Sequence, residues 1–413
     1  MLTNILIRRI GKIPPWLIYF VSPLPGFVES IFSLALPNVG EFLGAHKTLV
    51  QFSTVSYYLG FSLGILTLGW ISDLIGRRPL ILGCLISYAL ISLFLSYADN
   101  IYLFIFFRFL HAYAASVCSV VGQAMIRDSY SKLLLSYMYV TMSLSMSLIP
   151  ALGYIIGGQL IQIYSWTNAF RLVSFCIFTL FLVCFYCLPE TNYIKEKKSL
   201  LINIKKQLTV LKYISKDLQF FLNSLIVGLF NGVLYGFYMQ APFIFIKGFD
   251  IKTSVYGQII LFTNFASFLG AFMSKYLMKH HFHIKQIKIF GLAISFCGSL
   301  LLFLCSLYSY KQSSALYSHI LSIIFPFMIC ALGHSLLIPL VLSTSLKFYR
   351  HHIGIAGSIF GSFYYLISAL VVFSISKISK YSIDNFSILC LILGIFSIII
   401  FTLEDSLSKR HKM

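Results

Sequence analysis

The chain has 413 residues, of which 59% are hydrophobic and only 10% carry a charged side chain, and its mean hydropathy is +0.88. Soluble globular proteins contain about 25% charged residues, so this composition excludes a soluble fold and indicates a polytopic membrane protein. The net charge of +19 does not indicate nucleic-acid binding, because the sequence has no soluble basic domain to carry it.

The apolar segments have the length of membrane-spanning helices. A bilayer core needs about 20 apolar residues per helix, and this length predicts twelve spans in an all-α integral membrane protein. The predicted spans lie near residues 15–37, 48–71, 79–97, 101–126, 136–162, 167–189, 218–240, 254–278, 287–309, 315–346, 354–376 and 383–403. An even number of spans places both termini on the same side of the membrane.

The loops between the spans differ strongly in positive charge. Most of the 31 Lys and Arg residues lie on the side of the termini, and the opposite loops hold only Lys47, Lys247, Lys252, Lys311, Lys377 and Lys380. Because basic loops stay on the cytoplasmic side during insertion, both termini are predicted to be cytoplasmic, facing anionic lipid headgroups. Richness in Ile, Lys, Phe, Tyr and Ser indicates an AT-rich bacterial gene, which makes the predicted location a bacterial inner membrane.

The longest polar connection covers residues 190–217 and divides the spans into six plus six. Its lysines alternate with leucine and isoleucine at near-helical spacing, which predicts a basic amphipathic helix lying on the cytoplasmic membrane surface. We therefore predict an N-terminal six-helix bundle at 1–189, a linker at 190–217 and a C-terminal six-helix bundle at 218–413. Two bundles of equal span number indicate a structural repeat.

A charged segment, GWISDLIGRR, connects the second and third predicted spans. It contributes Gly69, Asp73, Gly76, Arg77 and Arg78. The glycines permit a tight turn, Asp73 is predicted to accept hydrogen bonds from backbone amides at a nearby helix start, and the arginines are predicted to pair with Asp128 at the end of span four. Such a cluster could hold one face of a transporter closed. The alternative is a basic loop that only fixes topology.

Two segments carry a family resemblance. The glycine, aspartate and arginine pattern of the charged segment resembles the signature loop of the major facilitator superfamily, with Leu74 at a position where the family has a basic residue. In span four, RFLHAYAASVCSVVGQAMIRD resembles the second motif of that family, with Arg108 at its head and Arg127 and Asp128 at its tail. The resemblance implies the fold of that superfamily, with two pseudo-repeated six-helix bundles and a gating role for the loop.

A third segment in span five narrows the resemblance. PALGYIIGG is similar to the glycine and proline motif of antiporters, with matches at Pro150, Gly153, Gly157 and Gly158, while Tyr154 stands where proline is expected. Together with SLALP in span one and LPET after span six, these motifs resemble the Bcr/CflA (bicyclomycin resistance) branch of drug/proton antiporters. The resemblance implies export of small amphipathic molecules in exchange for protons by alternating access.

One carboxylate lies well inside a predicted span. Of the twelve Asp and Glu residues, only Glu29 does so, and an ionisable group in that position is costly and therefore a functional candidate. Pro23, Pro25 and Gly26 precede it and predict a bent helix beside the carboxylate.

Depth in the membrane provides a partner for this carboxylate. At 1.5 Å per residue, Glu29 lies about 12 Å and Arg108 about 10 Å from the external surface, and His111 shares a helix face with Arg108. The resemblance assigns an acid of span one and this arginine to the substrate and proton region, although the family acid corresponds to Ser30. We hypothesise that Glu29 switches between proton and substrate with Arg108 and His111. The alternatives are a structural ion pair and a packing role for His111.

Polar and aromatic residues inside other spans are weaker candidates for a substrate cavity. They are Gln51, Tyr57, Tyr113, Gln123, Asn231, Tyr235, Tyr238, Asn264, His334 and Tyr364. The sequence shows no nucleophile triad, metal cluster or phosphate loop, so we predict no enzymatic activity and no cofactor or metal. The predicted partners are a small-molecule substrate, protons and lipids, and the expected state is a monomer. Proton-driven uptake of a metabolite, and a membrane-embedded protein without transport, remain alternatives.

Overall fold

A computed structural model describes residues 11–192, 209, 211–214, 217–309, 316–346, 349, 353–378 and 383–410. Twelve helices in these ranges are long and apolar enough to cross a membrane, which confirms the predicted all-α architecture. They span Pro15–Phe42, Lys47–Ile75, Arg77–Leu95, Ile101–Ser129, Tyr137–Ile163, Trp166–Cys187, Leu218–Gly248, Thr253–Lys279, Ile284–Leu307, Leu316–Leu346, Gly354–Ile378 and Ile383–Ser406. These are spans one to twelve below.

The bends in spans one and seven have identifiable causes. Span one consists of two helices, Pro15–Val21 and Leu24–Phe42, and the break between them confirms the bend predicted from Pro23. Span seven is an α-helix over Leu218–Pro242 that continues as a π-helix over Phe243–Gly248. The π-helix, whose hydrogen bonds join residues five apart, begins directly after Pro242, where the α-helical hydrogen-bond pattern is already interrupted.

The charged connection between spans two and three is shorter than the sequence indicated. Span two continues to Ile75 and span three begins at Arg77, so Gly76 alone separates the two helices. The predicted span ends, at residues 71 and 79, were wrong because they followed hydropathy, whereas the helix of span two includes Asp73 and the helix of span three includes both arginines. Gly76 has φ +108°, a backbone conformation that side chains with a Cβ rarely adopt.

The chain divides into two compact units. The first unit contains Met1–Ala35, Ser56–Ile214 and His351–Ser362, and the second contains Leu36–Val55, Ser215–Arg350 and Phe363–Met413. The predicted bundles at 1–189 and 218–413 stay a prediction. Most of the predicted amphipathic linker at 190–217 lies outside the described residues.

Small residues allow helices to approach closely inside each unit. In the first unit, a Cβ on Gly64 would lie 2.8 Å from the Tyr113 carbonyl oxygen, so span two packs on span four through its backbone. In the second unit, Gly298 approaches the Cys330 backbone nitrogen in the same way and joins spans nine and ten. Close contacts between backbones are the usual means of helix association in membranes, because lipid tails remove the hydrophobic drive.

Candidate functional site

The ion pair expected between spans one and four is present in the first unit. Arg108 donates from Nη2 to both carboxylate oxygens of Glu29, at 2.8 Å to Oε1 and 2.7 Å to Oε2. The Arg108 side chain is 1% exposed, whereas that of Glu29 is 16% exposed. The carboxylate is therefore the more accessible half of a pair whose positive half is buried.

Two aromatic rings hold the Arg108 guanidinium. Its Cζ lies 4.6 Å from the centre of the Phe32 ring and 4.4 Å from that of Tyr57. Aromatic faces attract cations, and more strongly where water is excluded. These contacts offset part of the cost of burying the charge, and they fix the guanidinium between spans one and two at the level of Glu29.

The side chains of Glu29 and Ser30 point to different neighbours. Ser30 donates from Oγ to the Gly26 carbonyl oxygen at 2.8 Å, and its Cβ lies 3.0 Å from the position that a Cβ on Gly153 would occupy. Ser30 therefore faces span five. Glu29, some 100° around the helix, reaches span four. In this chain the carboxylate that meets Arg108 is thus one position earlier than the resembling family predicts.

His111 lies inside the first unit among aromatic rings. It is fully buried, with its ring centre 5.0 Å from that of Phe32 and 4.3 Å from that of Tyr88. Neither ring nitrogen has a hydrogen-bond partner among the described residues. The shared contact with Phe32 confirms that His111 and Arg108 occupy one face of span four.

The span-five motif packs against the helix that carries Glu29. A Cβ on Gly153 would lie 2.6 Å from the Phe27 carbonyl oxygen, and one on Gly157 would lie 2.9 Å from the Ile31 side chain. Pro150 fits against Gly26, and Gly158 is buried. The glycines thus set how closely spans one and five approach.

A second charged cluster lies where spans two and four end and span three begins. Arg77 pairs with Asp73 at 2.6 Å and with Asp128 at 3.2 Å, and it also donates to the Ser72 hydroxyl. The predicted contact between an arginine and Asp128 is therefore present. We call Ser72, Asp73, Arg77, Asp128 and Glu190 the loop cluster.

The anion at the start of span three is Glu190, which sequence reasoning did not single out. Its Oε1 accepts from the Arg77 backbone N–H at 3.1 Å and its Oε2 from that of Arg78 at 3.2 Å. The prediction that Asp73 accepts these bonds was wrong, because Asp73 lies one helical turn earlier and binds the Arg77 side chain. A carboxylate at a helix N-terminus satisfies unpaired amides and the helix dipole. The sequence feature that could have indicated this role is the LPET segment, which contains Glu190.

The remaining residues of the charged segment, and Arg127 at the end of span four, make separate contacts. Arg78 donates from Nη2 to the Phe185 carbonyl oxygen at 2.7 Å, which joins span three to the end of span six. Gly69 packs on Val120 of span four, and Gly354 at the start of span eleven lies beside the Arg127 guanidinium. These contacts all lie within the first unit.

Most weaker cavity candidates are in local contacts. Tyr57 stacks on Arg108, Tyr113 shares a 3.0 Å hydrogen bond with Thr67, and Gln123 is exposed. In the second unit, Gln51 donates to Gln240 at 2.6 Å, and both side chains are buried.

The other second-unit candidates lie on spans seven, eight, ten and eleven. Tyr235 and Tyr364 both neighbour the Tyr365 ring, and Tyr238 bonds with Thr263 and Ser267 of span eight. The others are Asn264, which donates to its own helix, Asn231, which is partly buried, and His334, which packs on the Phe230 ring. The structure therefore brings Glu29, Arg108, His111 and Tyr57 into one cluster and distributes the other candidates among local contacts.

Comparisons with known proteins agree with this architecture. The sequence pattern of the Major Facilitator Superfamily matches residues 16–372. The chain is 40% identical over 410 residues to an "Uncharacterized transporter" of Rickettsia felis, covering 98% of this chain and 100% of the relative. It is 24% identical over 288 residues to a "Bicyclomycin resistance protein homolog" of Haemophilus influenzae, covering 70% and 71%. The solved structure of a POT family transporter is similar in fold, with TM-score 0.73, 14% identity and 96% coverage of both chains.

Proposed function

Because the chain belongs to the Major Facilitator Superfamily of membrane transporters, we propose that it exports small amphipathic molecules, including drugs, in exchange for protons. The family and fold are those of transporters rather than enzymes. Export would proceed by alternating access, in which the substrate site opens to one side of the membrane at a time.

The ion pair between Glu29 and Arg108 carries this proposal. An ionisable carboxylate inside a span is energetically costly to insert into the membrane and is therefore a candidate for a functional role. Glu29 keeps partial exposure while its partner is buried, so a proton or a substrate can reach the carboxylate without exposing the arginine. A single proton converts the pair from neutral to a net positive charge.

The proposed cycle needs two competing events at Glu29. A substrate that enters from the cytoplasm displaces the proton from the carboxylate, and re-protonation from the outside expels the substrate. Competition between proton and substrate for one binding state is what couples their opposite movements. The proton gradient then drives export.

The motif resemblance and one relative support drugs as the substrate class. The similarity to a protein named "Bicyclomycin resistance protein homolog" agrees with the span-four and span-five motifs, and we therefore propose membership of the Bcr/CflA branch. The aromatic and amide side chains within the spans offer an adaptable surface for amphipathic molecules.

The loop cluster is proposed as a gate on the cytoplasmic side. Arg77 bridges Asp73 and Asp128, and Glu190 fixes the start of span three. Charge-assisted contacts of this kind hold helix ends together and can break as a group when helices move. We further propose a bacterial inner-membrane location, cytoplasmic termini, bundles at 1–189 and 218–413, and a monomer that contacts lipids.

Proton movement in inverted membrane vesicles tests the proposal. Substrate addition, over a panel of cationic and neutral drugs, is expected to release protons from the lumen, and Glu29→Gln is expected to abolish the release. Glu41→Gln is the matched control, because Glu41 belongs to the same span but is 64% exposed and pairs with Lys247.

The other results identify the alternatives. Proton movement in the opposite sense would indicate uptake, and no movement with any substrate would indicate a protein without proton-coupled transport. Unaltered release in Glu29→Gln would reduce the ion pair to a structural contact and overturn the proposed coupling site.

A further inference from the structure

The buried guanidinium of Arg108 has more hydrogen-bond donors than Glu29 uses. Only Nη2 reaches the carboxylate, and neither Nε nor Nη1 has a hydrogen-bond partner among the described residues. Arginine carries five N–H donors and cannot release its charge at physiological pH. A buried side chain with this many unused donors can adopt a second acceptor.

Protonation of Glu29 creates the need for that acceptor. The neutral carboxyl no longer balances the guanidinium charge, and removing one partner of a buried ion pair is strongly destabilising. The Phe32 and Tyr57 rings keep the guanidinium in place, because their centres lie 4.6 Å and 4.4 Å from its Cζ. The N–H donors of the guanidinium then need an acceptor from a polar group in the same cluster.

His111 is the candidate for this acceptor. It lies three residues beyond Arg108 on the same helix face, and both side chains contact the Phe32 ring. Both of its nitrogens lack a partner within the described part of the chain, and neutral imidazole provides one acceptor nitrogen. The titratable or charged groups that surround it are Tyr88 of span three, Tyr57 of span two, and Glu29 with Arg108.

We propose that His111 is the alternate acceptor for Arg108. The guanidinium then binds Glu29 when the Glu29 carboxylate is charged, and it binds neutral His111 when Glu29 is protonated. His111 is thus a positioning residue that stabilises the proton-loaded transporter without exchanging the proton itself. The inference rests on the proposed role of Glu29 in proton coupling. It assigns to His111 a function that packing among aromatic rings does not require.

Infrared titration of the protein in lipid, without substrate, tests this role. The band of the protonated Glu29 carboxyl is identified by its loss in Glu29→Gln, and its intensity is followed against pH. His111→Phe keeps the ring packing but removes the acceptor. We expect it to lower the midpoint by about 1–2 pH units, which corresponds to one hydrogen bond to a charged group.

Two variants provide the controls. His111→Gln retains an acceptor oxygen and is expected to titrate near the wild-type midpoint. His334→Phe removes a histidine that is also buried and packed on an aromatic ring. Because His334 lies in the second unit, outside the cluster of Glu29, Arg108, His111 and Tyr57, this variant is expected to leave the midpoint unchanged.

The outcomes separate this inference from the proposed function. A wild-type midpoint in His111→Phe, or an equal shift in His334→Phe, overturns the acceptor role. If His111→Phe does not fold, His111→Leu removes the same nitrogens and carries the same expectation. A shifted midpoint in a protein that moves no protons with any drug would refute proton-coupled export while supporting the Arg108 switch.

Discussion

Replacing Gly76 with alanine should destabilise the first unit through two separate effects. Gly76 is the only residue between spans two and three, and its φ of +108° with ψ of 157° is a conformation nearly restricted to glycine. A Cβ at this position would also lie 2.5 Å from Oε2 of Glu190. That oxygen accepts the Arg78 N–H, so the substitution strains the backbone and displaces the anion that caps span three.

The size of the effect follows from these two contributions. A residue forced into a sparsely populated backbone region costs about 1–3 kcal/mol. Loss of a helix N-terminal cap costs about 0.5–2 kcal/mol. The free energy of unfolding should therefore fall by roughly 1.5–5 kcal/mol, a large effect for a single added methyl group.

Unfolding by SDS in mixed micelles measures this change. Gly83→Ala is the matched control, because Gly83 lies in the same span and a Cβ there meets no atom within 4 Å; it should stabilise the helix by about 0.5–1 kcal/mol. Glu190→Ala removes the obstructing side chain, so Gly76→Ala should cost less in that background. Equal free energies of unfolding for Gly76→Ala and Gly83→Ala would refute the reasoning.

Two further substitutions test packing and surface charge. Gly153→Ala places a Cβ 2.6 Å from the Phe27 carbonyl oxygen and should reduce the free energy of unfolding by about 1–3 kcal/mol, measured by the same SDS titration with Gly83→Ala as control; wild-type stability would contradict the tight approach of spans one and five. Lys285→Ala breaks a 2.8 Å pair with Asp405, but Lys285 is 50% exposed, so unfolding should change by no more than about 1 kcal/mol. A loss of several kcal/mol would contradict that estimate.

The spans and the ion pair were accessible from the sequence because each depends on one simple rule. Hydropathy over about 20 residues identified twelve helices, and the constant rise of 1.5 Å per residue placed Glu29 and Arg108 at the same depth. Depth does not give rotation about the helix axis. Glu29 rather than Ser30 reaches span four in the structure, where Glu29 binds Arg108 and Ser30 packs against Gly153.

The loop cluster and the surroundings of His111 depend on contacts between distant parts of the chain. Glu190 caps a helix that begins 113 residues earlier, and hydropathy contains no information about such a pairing. The aromatic rings around His111 come from spans one and three as well as two. Tertiary packing, which a single sequence does not specify, decided whether this histidine lines an accessible surface or the interior.

The two charged clusters of the first unit respond differently to a single proton. Arg77 contacts two carboxylates and a hydroxyl, so protonation of one acid leaves its charge compensated by another. Arg108 has one acidic partner among the described residues, and one proton on that partner removes the negative charge that balances it. A switch needs a state that changes its energy strongly with one bound ligand. Glu29 and Arg108 therefore form the proposed proton-sensitive element, whereas in the proposed gate Arg77 keeps one of its partners Asp73 and Asp128 when the other is protonated.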